Sequence, residues 1–184
     1  RRAQRGSERR RRRRRDGDRW GDFQSPAFRR AFAAFDPARV ARFGARDVRR
    51  LLGDAGIVRH RGKIEATVRN ARALRALHRR GESLAALCWG AVGGVPRVNH
   101  PRRLADVPAA TPESRALSKA LKARGFAFVG PTTVQAFMQA VGMWNDHLAA
   151  CPRHAACAAA AGRSFSADDG GKPDGLLARR AGAG

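Results

Sequence analysis

From Phe28 onward the chain reads as a succession of short amphipathic helices. In SPAFRRAFAAF the rings of Phe28, Phe32 and Phe35 recur at four and three residues, which is one helix face. Ser25-Pro26 in front of them supplies a cap and a first-turn proline. Asp36-Pro37 opens a second short helix, DPARVARF, in the same way. ARDVRRLLGDAG predicts a third, with Val48, Leu51 and Leu52 apolar and Gly56 placed to stop it. KIEATVRNARALRALHRRG predicts a long helix, because Ile64, Val68, Ala71, Leu74 and Leu77 recur at helical spacing and Gly81 follows. SLAALCWGAV is a short apolar helix, and GGVPRVNHPRRLADVP after it is a loop punctuated by proline. TPESRALSKALKARG opens on the capping signature Thr111, Pro112, Glu113, Ser114. TTVQAFMQAVGMWNDHLAAC carries Val134, Phe137, Met138 and Val141 on one face. No segment alternates with period two, and no internal repeat is visible. The pattern predicts an all-α fold, a bundle of short helices over residues 25–157. Residues 1–24 and 158–184 lack any such period and are expected to be disordered.

Charge adds a partner class. The 184 residues hold 38 Lys and Arg against 15 Asp and Glu, a formal net charge of +23. The run Arg9 to Arg15 belongs to the first 22 residues, which account for about +7 of this, so the remainder is strongly basic in its own right. Such a surface repels itself unless it meets a polyanion, and nucleic acid is the leading partner. The plain alternative is codon bias, since 34 of the 38 cations are Arg. Three cysteines, Cys88, Cys151 and Cys157, form no disulfide framework and suit a reducing compartment. No apolar run is long enough for a membrane span. The charged N-terminus has no apolar core of the secretory kind.

The stretch GIVRHRGKI, Gly56 to Ile64, lies between two predicted helices. With them it makes a helix-hairpin-helix. Glycines at Gly56 and Gly62 let backbone approach a phosphate. The following helix would begin near Gly62, so its free amides and positive dipole end face the same point. Arg59, Arg61 and Lys63 add charge there. Read by itself, the stretch serves equally as a solvated turn with Gly56 as a helix cap.

The surrounding residues resemble a known family. FRRAFAAFDPARVA, LLGDAGIVRHRGKIEATVRNARA and LSKALKARGFAFVGPTTVQAFMQAVGMWNDHLAACPRH closely resemble the DNA-3-methyladenine glycosylase I family, over residues 28–157. The resemblance implies an all-α helix-hairpin-helix protein of base excision repair. It implies hydrolysis of the N-glycosidic bond of flipped 3-methyladenine in alkylated double-stranded DNA. It gives the DNA-anchoring role to Gly56, Ile57, Arg59, His60, Arg61, Gly62 and Lys63. It places Phe126, Phe128, Gly130 and Thr132 in the motif beside the base pocket, with Phe128 and Thr132 as lining residues. A monomer is expected, with no membrane partner. The expected place is the cytoplasm or nucleoid of a bacterium, or the nucleus or an organelle of a eukaryote.

The resemblance further implies structural zinc, bound by a Cys and a His near the N-terminus and a C-terminal His-x-x-x-Cys. The last pair matches His147 and Cys151, whose spacing would put both on one helical face. A set built from His147, Cys151, His154 and Cys157 is the local alternative. No Cys precedes Cys88 and no His precedes His60, so both N-terminal ligands are absent and the zinc is expected to be lost or weak. The family's base-contacting segment, Leu-Glu-x-x-Gln-x-Gly-Leu-Ser-Trp, is replaced by RWGDFQSPAFRRAF, and the chain contains no Tyr. No catalytic carboxylate can be assigned. A missing or aberrant N-terminal segment is the expected reason. The competing expectation is a DNA-binding remnant that docks without releasing a base.

Overall fold

The computed structural model describes residues 26–161. The expected Arg-rich segment, Ser25, and the tail beyond Ala161 lie outside them. The regular structure of the described residues is almost all helical. Helix α1 spans Pro26–Ala31, α2 Pro37–Val40, α3 Ala45–Gly53, α4 Arg61–Arg79, α5 Leu84–Gly90, α6 Pro112–Ala123, α7 Pro131–Ala140 and α8 Pro152–Ala160. Two 3-10 turns, Ala33–Phe35 and Leu104–Asp106, complete the helical elements. The strands β1 (Arg97–Val98) and β2 (Trp144–Asn145) pair in parallel, Arg97 opposite Trp144. The all-α expectation holds. Helix α8 carries order past Cys157, where the tail was expected to begin. No helix among the described residues is long and apolar enough to cross a membrane.

The chain divides into two compact units. The first holds residues 26–76 together with Gly125–Phe128. Its core gathers Phe28, Phe32, Val40, Leu51, Ile57 and Ile64. The helix expected to run through Phe35 stops at Ala31. Ala33, Ala34 and Phe35 then take left-handed φ values of 51°, 58° and 59°. Each such residue costs roughly 1–2 kcal/mol. Two features outweigh this cost. Phe28, Phe32 and Phe35 still stack in sequence, with centroids 6.2 and 5.6 Å apart. Asp36, being next to Pro37, resists helical geometry. It caps α2 instead, accepting hydrogen bonds from the amides of Ala38 and Arg39.

Helix α3 ends at Gly53, three residues before the Gly56 that was expected to stop it. The cause is the side chain of Asp54, whose Oδ1 accepts from the Gly56 amide at 2.7 Å and turns the chain out of the helix. Helix α4 buries Ile64, Val68 and Ala71 as expected, while Leu74 is half-buried. Arg72 ties α4 to the end of α2 through the carbonyls of Ala41 and Phe43, at 2.9 and 2.8 Å.

The second unit holds residues 77–124 and 129–161. Helix α4 finishes there on Gly81, at φ 73°, with the Glu82 amide bonded back to the Leu77 carbonyl. Thr111 and Ser114 cap α6 reciprocally, each side chain accepting from the other's amide. Helix α7 departs from the expected face. Phe137 and Val141 are 42% and 45% exposed, and buried Gln135 takes the core position beside Val134 and Met138. Gln135 can sit there because it is bonded, accepting from the Thr111 hydroxyl at 3.0 Å.

Candidate nucleic-acid interface

The hairpin between α3 and α4 is anchored from below and open above. Ile57 is buried in the core of the first unit, and Val58 packs against that core. Gly56, Arg59, His60 and Arg61 are exposed. His60 caps the helix that follows. Its Nδ1 accepts from the Lys63 amide at 3.2 Å, and its carbonyl accepts from the amides of Lys63 and Ile64. Helix α4 therefore starts at Arg61, and the amides of Arg61 and Gly62 stand at its open N-terminus. Arg61 also pairs with Glu65 one turn on, at 3.2 Å in solvent.

Neither hairpin glycine is required by a left-handed backbone. Each is closely packed. A Cβ on Gly56 would stand 3.1 Å from Asp54 Oδ1 and 3.3 Å from the Ala27 Cβ. A Cβ on Gly62 would stand 3.2 Å from His60 Cε1 and 3.4 Å from Phe128 Cζ.

Phe128 thus joins the hairpin. Its ring meets that of His60 edge-on, with centroids 6.2 Å apart and planes at 78°. It is 55% exposed and has a left-handed φ of 58°. Strain of this kind persists only where neighbours impose it. Here the segment is pinned to α4 by Arg69, which donates to the Gly125 carbonyl at 2.9 Å, and by Asn70, which bonds both the amide and the carbonyl of Ala127. Sequence reading placed Phe128 with Thr132 as pocket lining. The structure puts Phe128 in the first unit against the hairpin and Thr132 in the second, exposed on the first turn of α7. Phe126 is buried, as a core ring.

His147 and Cys151 do come together, with Nδ1 and Sγ 3.9 Å apart. They do so across a turn, not on a helix. Gly142, at φ 79°, ends α7, and Pro152 holds Cys151 extended before α8 begins. Tetrahedral zinc would set such donors about 3.5 Å apart, so the pair suits two corners of a site. Among the described residues no group of three or more His, Cys, Asp or Glu is placed to hold a metal. His154 is committed elsewhere: buried, its Nε2 donates to the Asn99 carbonyl at 2.6 Å. The residues present do not complete the zinc set that the resemblance implied.

One polar centre escaped sequence reading. The Asp146 carboxylate accepts from Asn99 and Gln139 at 2.7 Å each, from the Trp144 indole at 3.2 Å and from Gln135 at 3.4 Å. These donors fix the loop after β2. Asn99 is 47 residues away in the chain, and no local spacing announces it.

The comparisons with known proteins agree with one another. The family model for methyladenine glycosylase matches residues 24–154. DNA-3-methyladenine glycosylase 1 of Escherichia coli K12 is 48% identical over 124 residues, 67% of this chain and 66% of that protein. DNA-3-methyladenine glycosylase of Haemophilus influenzae is 45% identical over 126 residues, 68% of each. A crystal structure of 3-methyladenine DNA glycosylase I superposes with a TM-score of 0.68 at 49% identity, covering 69% of this chain and 70% of that one. A Staphylococcus aureus 3-methyladenine DNA glycosylase I, solved for its 3-methyladenine recognition, gives 0.65 at 36% identity, covering 70% and 68%. The chain spans about two thirds of the length of the curated relatives it matches. With the family model, the curated relatives and the solved structures in agreement, the chain belongs to the methyladenine glycosylase family.

Proposed function

We propose that this chain acts in base excision repair as a glycosylase that releases 3-methyladenine from alkylated double-stranded DNA. The observation that carries the reading is the assembled hairpin, in a chain 48% identical to a 3-methyladenine glycosylase over two thirds of its length. The open amides of Arg61 and Gly62 and the positive end of α4 suit a backbone phosphate. Arg59, Arg61 and Lys63 lie at that point in the chain and add charge, and phosphate contacts of this kind position a protein without reading sequence. The exposed ring of Phe128 offers a flat apolar wall beside it for a sugar or base.

The reaction asks little acid catalysis of the protein. Methylation at N3 makes the base cationic, so it leaves C1′ with the bonding electron pair as a neutral molecule. Water supplies the oxygen that bonds to C1′ and gives its proton to solvent. The protein's task is to hold the duplex while the base is extruded. We place it as a monomer on bacterial chromosomal DNA in the cytoplasm, since the relatives are bacterial.

A specific observation favours a second reading, docking without base release. No residue of the chain corresponds to the base-contacting Glu of the family's motif, and there is no Tyr. One assay separates the two. Incubation with methylated DNA should release free 3-methyladenine under the first reading. Duplex binding that is lost in Arg61→Glu, with no base released, would establish the second.

A further inference from the structure

The first unit carries a second basic feature away from the hairpin sequence. Arg30, Arg39, Arg42 and Arg50 line an open basin of about 460 Å³ with Phe43 and Asp47. Arg50 forms a fixed floor. Its guanidinium lies over the Phe43 ring at 5.5 Å, pairs with Asp47 at 3.5 Å and points at the Ala31 carbonyl. Asp47 is the one acid of the basin and is already engaged, by Arg50 and by the Gly44 amide at 3.1 Å. The side chains of Arg30, Arg39 and Arg42 are exposed, and none has a hydrogen-bond or ion-pair partner among the described residues. Three unneutralised guanidinium groups around one concavity repel one another, which a bound polyanion relieves. Guanidinium forks match phosphate oxygens in pairs.

We infer that this basin is a second contact for the DNA backbone, seating phosphodiesters beyond those held by the hairpin. The two features share helix α1: Ala27 abuts Gly56 of the hairpin, and Arg30 lines the basin. The inference rests on the DNA-binding reading proposed above and extends its footprint.

The test is the salt dependence of duplex affinity for the full chain. Each lost phosphate contact lowers the slope of log K against log salt by about 0.9. The triple variant Arg30→Gln, Arg39→Gln, Arg42→Gln removes three exposed charges and leaves packed Arg50 in place. A control, Arg97→Gln, Arg102→Gln, Arg115→Gln, removes three exposed charges from the second unit. The basin triple should reduce the slope by about two or more and weaken low-salt binding about tenfold or more, with the control changing the slope by less than about one. Equal effects from both triples, or no effect from the basin triple, would overturn the inference. Arg61→Glu is measured alongside. If it abolishes binding while the basin triple leaves both the slope and the low-salt affinity unchanged, the basin inference alone falls. If the unaltered chain fails to bind duplex, the DNA-binding reading falls with it.

Discussion

Phe128 and Gly62 are fitted to each other: the ring's Cζ lies 3.4 Å from the place a Gly62 Cβ would occupy. The ring cannot withdraw easily, because its backbone is held left-handed by the bonds of Asn70 to Ala127. His60 on the other side is held by its cap on Lys63. Gly62→Ala should therefore destabilise the protein by about 1 kcal/mol through overpacking, despite the better helix propensity of Ala. In a Phe128→Ala background the same substitution should cost nothing or stabilise. Urea unfolding of the four proteins closes the cycle, and additive effects would show that the contact is not made.

Ala34 sits exposed at φ 58° and ψ 22° in the turn between α1 and α2. Ala34→Gly relieves a left-handed Cβ, which outweighs the greater freedom of glycine in the unfolded chain. A gain of a few tenths to about 1 kcal/mol is expected, seen as a raised Tm. A lowered Tm would mean that the turn is helical in solution.

The three thiols should separate by reactivity. Cys88 is buried, and burial pushes its thiol up to about 11. Cys151 and Cys157 are half-buried. Ellman's reagent at pH 8 should modify Cys151 and Cys157 in the native protein and Cys88 only after unfolding. Rapid native modification of Cys88 would contradict the packing of α5.

Glu82 receives Arg80 Nε at 2.7 Å and Arg124 Nε at 2.6 Å. The Arg80 hydrogen bond first, and then that of Arg124, hold its carboxyl below the usual carboxylate range. A lowered value favours the folded state above the ordinary pKa, and that contribution disappears as the pH falls through the lowered one. Glu82→Gln should therefore have a lower Tm than the unaltered chain at pH 7, with the difference closing in strong acid. A gap that widens in acid would reverse the assignment.

What could be read from residues alone follows physical range. Helix α4 was legible because Ile64, Val68 and Ala71 repeat at helical spacing, and α2 and α6 because Asp36-Pro37 and Thr111 to Ser114 are local capping pairs. The break after Ala31 was not, because left-handed alanines carry no signature of their own. The stop of α3 moved because the Asp54 side chain competed for a backbone amide. His147 and Cys151 were paired for the wrong reason: the spacing suggested a helix, and a proline-bounded turn brought them together. The hairpin glycines were expected to serve phosphate approach, and the structure adds packing neighbours that no local spacing announced. The Arg basin and the Asp146 centre were invisible because each gathers residues from elements that only the fold makes adjacent.

Asn70 bonds both backbone groups of a residue 57 positions away, doing for a loop what a neighbouring strand does in a sheet. This makes the hairpin's surface a composite of two distant stretches of chain. A peptide cut from α3 to α4 would keep every basic side chain of GIVRHRGKI and lose the ring that stands over Gly62. The motif is portable as a string of letters, but the surface it forms in the fold is not.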